Sequence, residues 1–306
     1  MKKVSEGKKM FFSVMIIFLC YAIIFILFED YDRQYLQHFD EASDWHLLTF
    51  SIVVMLGLSF LLHRYSRKMD DRISRDQSEK EALMRRELTQ NIGHELKTPV
   101  ASILGFTETI LENPDLTSDQ KTQFIEKSHA QAQRLSALLQ DLSTLNRMDY
   151  APGMIEKHKT DVNELVSTVV NDVRISLEKK SMEFKNYLPS SVFVKGNSAL
   201  LYSIFRNLFD NSINYSGEKS TIELQAHESS GYWHFIFSDN GTGVDTIHLP
   251  RLFERFYRVD RGRMRSIGGT GLGLSIVKNA VMLHGGNIKA EQNGESGLRF
   301  VFSLRK

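Results

Sequence analysis

A histidine, a glutamate, a threonine and a proline lie within six residues of a segment with helical periodicity. They are His94, Glu95, Thr98 and Pro99 in the sequence HELKTP. Apolar residues stand two positions before and two positions after His94, which places its imidazole on the exposed face of a helix. Glu95 could accept the Nδ1 proton and leave Nε2 as a free nucleophile, and Pro99 is expected to kink or loosen the helix. A lone exposed histidine usually does nothing, but this combination predicts a nucleophile.

Three polar or glycine-rich clusters follow in the C-terminal half. Asn207, Asn211 and Asn214 recur at i, i+4 and i+7 and so line one face of a predicted helix, where amide oxygens suit a hard cation such as Mg²⁺. Residues 239–243 (DNGTG) end a predicted strand, where a carboxylate can accept a hydrogen bond from an exocyclic amine. Residues 268–274 (GGTGLGL) open a predicted helix, whose free N–H groups favour phosphate. Taken singly, each is also typical of a solvated face, a turn or a loop.

A scaffold of alternating helices and strands must position these clusters. From about residue 154 the apolar pattern alternates between helical and strand periods, which predicts an α/β sandwich with helices on one face of a mixed sheet. The predicted helices are 162–177, 200–215 and 272–283, and the predicted strands are 181–187, 192–195, 221–226, 232–238, 287–291 and 298–304.

A long helical hairpin precedes this scaffold. Residues 64–148 are charged and helix-prone, with a break at 112–115 after which Thr117 or Ser118 can cap a second helix. Two helices with one apolar face each cannot form a stable core alone, so we expect a four-helix bundle made by dimerisation. The two apolar stripes are Leu88, Ile92, Leu96, Ile103, Phe106 and Ile110, then Ile125, Ala132, Leu135, Leu139, Leu142 and Leu145.

The segment QNIGHELKTPVASILGFTETI resembles the phosphoacceptor box of sensor histidine kinases of the HisKA type, and its GFTET continuation is similar to that of phosphate-regulon sensor kinases. The three C-terminal clusters, in their order and spacing, resemble the N, G1 and G2 boxes of the GHKL (Bergerat) ATPase superfamily. Residues 253–258 (FERFYR) resemble the F box of histidine kinases. The resemblance covers residues 85–306.

The resemblance implies a role for each matching position. Asn211 would be the main Mg²⁺ ligand and Asn207 a phosphate or metal contact, while Asp239 would read the adenine amine and Tyr215 would lie near the base. The remaining nucleotide contacts that it implies are Gly241, Gly243, Gly269, Thr270, Gly271, Leu272 and Gly273, with the backbone of Gly269, Gly271 and Gly273 holding the phosphates.

The sequence also departs from the family pattern. Asn214 stands where the family commonly has a lysine or arginine, so one cationic phosphate contact is missing, which Arg255 or Arg258 would have to replace. Ser212 replaces the usual alanine without removing a residue that the chemistry needs. Residues 244–268 are expected to form a mobile lid that is ordered when ATP binds.

The resemblance implies an ATP- and Mg²⁺-dependent protein-histidine kinase. His94 would be the phosphoacceptor, Glu95 the general base or orienter, and the phosphoryl group would pass to an aspartate of a separate response regulator. Thr98 would orient a water for phosphatase activity toward that regulator. Two other classes stay open: a membrane-bound GHKL ATPase of the chaperone type, which turns over ATP without a phosphohistidine, and a catalytically inactive adaptor.

Two apolar runs near the N-terminus predict two transmembrane helices, residues 10–28 and 45–63. The alternatives are a signal peptide for the first run and a buried core helix for the second. Four lysines against one glutamate precede the first run, whereas six acidic residues against one arginine lie between the runs. This distribution predicts a multi-pass protein of the cell membrane with both termini in the cytoplasm.

The external loop, residues 29–44, is too short to enclose a ligand, so we expect intramembrane sensing or control by a membrane partner such as a transporter. A net charge of +1 over 306 residues argues against a nucleic-acid partner, and the single cysteine, Cys20, excludes an internal disulfide. The predicted segments are 1–9 (cytoplasmic), 10–28 and 45–63 (spans), 29–44 (loop), 64–84 (helical linker), 85–149 (dimerisation and phosphotransfer) and 154–306 (ATP binding).

Overall fold

The computed structural model of the protein describes residues 41–259, 269–294 and 296–306. The chain divides into two compact units, Met1–Arg86 and Glu87–Lys306. In chain order the elements are α1 (Glu41–Glu112), α2 (Ser118–Tyr150), a 3₁₀ turn (Pro152–Met154), β1 (His158–Asp161), α3 (Val162–Lys179), β2 (Glu183–Tyr187), β3 (Phe193–Gly196), α4 (Ser198–Tyr215), β4 (Thr221–Ser229), β5 (Tyr232–Asp239), a second 3₁₀ turn (Thr246–Arg251), α5 (Gly273–Leu283), β6 (Ile288–Gln292) and β7 (Leu298–Arg305).

The first unit is helical over all of its described residues, 41–86, which belong to α1. This helix covers the predicted second span, whereas the predicted first span and the residues before it lie outside the described residues. Within the described part of the chain, no helix combines the length and the apolar character needed to cross a membrane. The two-span topology therefore stays a prediction.

The second unit begins with the predicted helical hairpin. α1 ends at Glu112, and α2 begins after Thr117, whose hydroxyl accepts a hydrogen bond from the Gln120 N–H (3.2 Å). The Gln120 side chain accepts the Thr117 N–H in return (3.0 Å), which completes a capping box. α1 continues through Pro99, which cannot donate to the carbonyl four residues before it.

The apolar stripe of α2 is split between two faces, which corrects the single stripe that the sequence predicted. Leu145 is buried as predicted, but Leu138 and Met148, which were not part of that stripe, are buried beside it in the core of the unit. Ile125 and Leu139 are 58% and 52% exposed instead. One face of α2 thus packs against its own chain, and the other leaves apolar side chains exposed on the single chain.

The predicted α/β sandwich is confirmed by a five-stranded mixed sheet of order β2-β4-β5-β7-β6, in which only β2 and β4 pair in parallel. Burial alternates along β7, where Leu298, Phe300, Phe302 and Leu304 are all buried. Phe205 of α4 packs edge-on against the stacked rings of β5 and β7. This helix–sheet core fixes α4, which carries the asparagine cluster.

Every predicted helix and strand of this domain exists, and its ends lie within two residues of the predicted ones except in β4, which continues three residues further, to Ser229. β1, which pairs with β3 in a separate two-stranded antiparallel sheet, was not predicted. Its sequence, HKTD, contains no apolar residue, so a period of two could not reveal it.

His284, which follows α5, joins the C-terminal end of that helix to the start of α4. Its Nδ1 donates to the Ala280 carbonyl (2.6 Å), and its Nε2 accepts the Asn197 N–H (3.0 Å). Only a neutral imidazole can make both bonds. Burial lowers the pKa of His284 below its usual value, the bond to Ala280 opposes that shift, and the charge of Lys157 adds to it. His284 is therefore a neutral structural residue.

We expect this histidine to make the fold sensitive to acid. Since the pKa of His284 is lower in the folded than in the unfolded protein, unfolding takes up a proton once the pH falls below the unfolded value of about 6.5. Stability is thus fully present above that pH and is lost as the pH falls toward the folded pKa. The thermal midpoint measured between pH 5.5 and 8 should decline on the acid side.

His284→Gln should lower the free energy of unfolding at pH 7.5 by about 1 to 3 kcal/mol, because two buried hydrogen bonds are lost. It should also flatten the pH dependence. His129→Gln, at an exposed position, is the matched control and should retain the full slope. If the thermal midpoint varied equally with pH in all three proteins, His284 would not be the residue that causes the acid sensitivity.

Candidate functional site

The asparagine face of α4 is the first part of the site. Asn197 caps the helix by accepting the Leu200 N–H (3.1 Å). Asn207 donates its amide to the Ser203 carbonyl (2.8 Å), and its Oδ1 lies beside Gly273. Asn211 is half-buried. Among the described residues the Asn211 side chain has no hydrogen-bond partner. Its amide oxygen is therefore available to a ligand.

Asp239, at the end of β5, is the second part. It is 4% exposed, and its Oδ2 accepts the Ser212 hydroxyl of α4 (2.8 Å). Its Oδ1 accepts the backbone N–H groups of Gly241 (3.0 Å) and Leu298 (3.4 Å). These donors hold the carboxylate in one orientation and leave Oδ2 with capacity to accept one further N–H. Ser212, which departs from the family pattern, thus positions Asp239.

Two glycines lie in close contact with α4 and the residue that follows it. A Cβ at Gly241 would lie 2.3 Å from the Cα of Ser216, directly after α4. A Cβ at Gly273 would lie 2.5 Å from the Oδ1 of Asn207. The turn 239–243, here called the aspartate turn, and the segment 269–273, here called the glycine loop, therefore both touch α4. The structure brings the three predicted clusters together.

The glycine loop ends at a helix N-terminus that is open to an anion. Leu272 precedes α5 without a side-chain cap for its first turn, so N–H groups of that turn remain available. The Thr270 hydroxyl accepts the Leu272 N–H (3.2 Å), and the Gly271 carbonyl accepts the Phe256 N–H (2.8 Å). The segment that resembles the F box is thereby joined to this loop.

Tyr215 and Arg258 flank the same loop. The Tyr215 hydroxyl lies 3.0 Å from the position of a Cβ on Gly269, and an Nη of Arg258 lies 3.9 Å from it. Arg255 is engaged elsewhere, by Asp149. Of the two arginines considered as replacements for the missing cation at Asn214, only Arg258 lies against the glycine loop. Residues 260–268, the end of the predicted lid, lie outside the described residues.

The C-terminal part of α2 also contacts this domain, which the sequence did not reveal. The Thr270 hydroxyl donates to Asp141 (2.8 Å), and one Nη of Arg255 donates to both oxygens of Asp149 (2.9 and 2.7 Å). Asn279 of α5 adds a longer bond to Asp149 (3.4 Å). The helical period of α2 identifies its faces but not what docks on them, so no local signal could have found these pairs.

Two carboxylates with shifted pKa values, Asp141 and Asp210, lie near the glycine loop, where Asp141 accepts the Thr270 hydroxyl. Burial raises the pKa of Asp141 above its usual value, the bond from Thr270 opposes the shift, and the charge of Asp210 adds to it. Burial also raises the pKa of Asp210, which Arg206 opposes through an ion pair (2.9 Å). Phosphates placed here would need a cation beside them.

Asp149→Ala should release the C-terminal turn of α2 from α5. A half-buried bidentate pair contributes about 1 kcal/mol, which corresponds to about fivefold more frequent local opening. Amide hydrogen exchange of residues 145–150 and 275–282 reports this opening. Glu126→Ala, at an exposed position of α2, is the control, and equal exchange in both variants would contradict the role of Asp149.

The histidine segment lies on α1. His94 is exposed, as predicted, and lines a shallow groove with Lys97, Thr98, Ala101 and Ser102. The Thr98 hydroxyl donates to the His94 carbonyl (3.2 Å), one turn before it. The groove leaves the imidazole accessible to a large reactant.

Glu95 is paired with a residue of α2 rather than with the imidazole. Its carboxylate accepts a hydrogen bond from Arg134 of α2 (3.3 Å), and both side chains are partly buried. This pair ties the two helices of the hairpin together beside the histidine. The role of Glu95 as a base or orienter stays a prediction that requires the pair with Arg134 to open.

Two domain families match the chain. Residues 84–151 match the His Kinase A (phospho-acceptor) domain, and residues 196–306 match the histidine kinase-, DNA gyrase B-, and HSP90-like ATPase domain. The first contains the histidine segment, and the second contains the aspartate turn, the glycine loop and α4. The first range lies within two residues of the predicted 85–149, whereas the second begins at residue 196 and leaves out residues 154–195 of the predicted ATP-binding segment.

Curated relatives include the sensor-like histidine kinase SenX3 of Mycolicibacterium smegmatis, which is 32% identical over 75% of this chain and 60% of its own length. The phosphate regulon sensor protein PhoR of Pseudomonas aeruginosa is 32% identical over 71% of this chain and 49% of its length. The sensor protein kinase WalK of Staphylococcus aureus is 30% identical over 72% of this chain and 53% of its length. The chain thus spans about half to three fifths of these relatives.

Solved structures share the fold. The Acinetobacter baumannii histidine kinase AdeS superposes with a TM-score of 0.57 at 22% identity, over 69% of this chain and 97% of that one. Histidine kinase ThkA, in a complex with the response regulator protein TrrA, gives 0.59 at 21% identity over 72% of this chain and 61% of that one. With its phosphoacceptor segment, its ATPase domain and these relatives, the chain belongs to the sensor histidine kinases.

Proposed function

We propose that the protein is an ATP-dependent histidine autokinase that passes its phosphoryl group to a response regulator. The observation that carries the proposal is that α4, which bears Asn207 and Asn211, contacts both Asp239 and the open N-terminus of α5, in a chain that also presents His94 on an exposed helix face. The adenine amine would meet Asp239, and the phosphates would meet the glycine loop.

The two transfer steps need only ATP, His94, a base and the aspartate of the regulator. The Nε2 lone pair of His94 attacks the γ-phosphorus, the bond to the bridging oxygen breaks, and ADP leaves with that electron pair. The Nδ1 proton then passes to a base, for which Glu95 is the nearest candidate in sequence. A carboxylate oxygen of the regulator's aspartate next attacks the phosphorus, and the electron pair of the P–N bond returns to the imidazole. Thr98 would orient water for the phosphatase reaction.

The residues present fit Mg²⁺. The Asn211 amide oxygen has no partner among the described residues, and Asp141 and Asp210 add negative charge at the phosphate end. Asn211 would hold the ion, and Asn207 could contact the ion or a phosphate. When bound, Mg²⁺ neutralises charge on the phosphate oxygens. Asn211 positions this charge, and Arg258 supplies the cation that Asn214 lacks.

We expect a homodimer and a receiver-domain partner. Ile125, Ala132 and Leu139 are seven residues apart on α2 and exposed on the single chain, as expected of a face covered by a second copy. For the regulator, support comes from the solved complex of ThkA with TrrA, a fold-level relative. The balanced net charge of +1 argues against direct binding of nucleic acid.

The membrane topology is part of the proposal. The apolar runs 10–28 and 45–63 and their flanking charges favour two spans in the cell membrane with both termini in the cytoplasm. The short loop 29–44 favours a signal received within the lipid or from a membrane partner such as a transporter. If the kinase still responds to its signal after residues 29–44 are replaced by a Gly/Ser segment, the result would agree with a signal received within the lipid or from a membrane partner.

The test is incubation of the full chain, in detergent, with ATP labelled at the γ-phosphate and Mg²⁺. We expect label on the protein that is lost in acid and retained in alkali, as a phosphoramidate requires. ATP turnover without labelled protein would instead favour an ATPase of the chaperone type. Absence of nucleotide binding would favour an inactive adaptor.

A further inference from the structure

A basic pocket lies at the C-terminal end of α5, the end remote from the glycine loop. Four cationic residues from three separate parts of the chain line it together with Leu283 and His284, and no acidic side chain lines it. The four are Lys157 before β1, Lys195 of β3, and Arg305 and Lys306 at the end of β7. α5 has 11 residues, so about 16 Å of helix separates this pocket from the glycine loop.

Two of the four cations are compensated within the protein. Lys157 donates to the Leu283 carbonyl (2.5 Å), as expected of a cation at a helix C-terminus, and Lys306 pairs with Glu228 (2.7 Å). Lys195 and Arg305 have no ion-pair partner among the described residues. Attraction to the end of α5 therefore explains Lys157 but not the other two.

The strand register adds a further like charge. β1 and β3 pair so that Lys159 stands directly opposite Lys195, and Lys159 places its ammonium 4.3 Å from the ring centre of Phe193. Like charges in directly opposed positions of a sheet are destabilising. An anion beside Lys195 would offset that repulsion.

We propose that this pocket is a second ligand site, for a small phosphate-class anion, separate from the nucleotide site. The Arg305 guanidinium can bind two oxygens of a phosphate side by side, and Lys195 supplies a point charge beside it. The pocket wall also connects to the nucleotide site, because His284 accepts the Asn197 N–H at the start of α4. This inference does not depend on the autokinase reaction.

The test is a calorimetric titration of the full chain with inorganic phosphate and with pyrophosphate, at constant ionic strength maintained with chloride. The double variant Lys195→Gln/Arg305→Gln should bind both probes about tenfold or more weakly, since two charged contacts are lost. The matched control is Arg174→Gln/Lys179→Gln, which removes one arginine and one lysine from the exposed face of α3. The control should bind as the unaltered chain does.

Arg305→Lys retains the charge but not the planar guanidinium that binds two oxygens, so it should give an intermediate affinity. This variant also tests the proposal if the double variant misfolds. Equal affinity for the probes in the pocket and control variants would overturn the proposal. Chloride that competes with the probes as strongly as phosphate does would overturn it as well. Phosphate bound at the nucleotide site would be unaffected by either double variant. Labelling by ATP, measured on the same samples, reports the autokinase separately, so failure of one proposal is distinguishable from failure of the other.

Discussion

His94→Gln is expected to abolish transfer of label from γ-labelled ATP to the protein. Glutamine approximates the size and polarity of histidine, but its amide nitrogen has no nucleophilic lone pair. His94 is exposed on α1 and makes no side-chain bond among the described residues, so the change should leave folding and ATP binding intact. The expected loss is complete, to the background of the assay, and nucleotide binding by the same sample shows that the ATPase domain remains functional.

His129→Gln provides the matched control, since His129 is also an exposed helical histidine of the hairpin, on α2. It should be labelled like the unaltered chain. Acid-labile label that persists in the His94 variant would show that another residue accepts the phosphoryl group. Loss of label in the control would point instead to damage of the hairpin.

Asn211→Ala is expected to weaken binding of Mg·ATP by at least about tenfold, because a ligand to a charged group is lost without replacement. Autophosphorylation at low ATP should fall accordingly. The Asn211 side chain is half-buried and has no partner among the described residues, so its removal should cost little stability. Calorimetric titration with a non-hydrolysable ATP analogue, with and without Mg²⁺, measures the effect.

Asn171→Ala removes the same amide from the exposed face of α3 and should bind the analogue normally. The difference between Asn211→Ala and the unaltered chain should shrink when Mg²⁺ is left out, if the amide acts through the ion. An undiminished difference would assign Asn211 to the phosphates instead. Unchanged affinity in Mg²⁺ would remove Asn211 from the site.

The sequence located the three clusters that the structure brings together, because each cluster is local. The spacing of Asn207 and Asn211 identifies one face of a helix, and the apolar periods of β5 and β7 identify a half-covered sheet. Ser212 was noted only as a departure from a pattern. Its bond to Asp239 joins residues 27 positions apart and follows from the packing of α4 on β5, which no local period encodes.

The docking of α2 was outside the reach of the sequence for the same reason. Thr270 and Asp141 are 129 positions apart, and Arg255 and Asp149 are 106 apart. Leu138 and Met148 lie outside the predicted stripe, three residues after Leu135 and Leu145, so a single heptad pattern did not identify the face that packs against its own chain. The two faces of α2 have different surroundings, and only the tertiary structure distinguishes them.

The Thr270 hydroxyl is shared: it accepts the Leu272 N–H within the glycine loop and donates to Asp141 on α2. A nucleotide that reorganises this loop competes with α2 for the same group. Binding and docking are then linked equilibria, and the coupling free energy is the same in both directions. If nucleotide weakens the docking, a signal that draws α2 away from the domain would raise the affinity for nucleotide by the same factor, and one hydroxyl would couple the helical hairpin to the occupancy of the site.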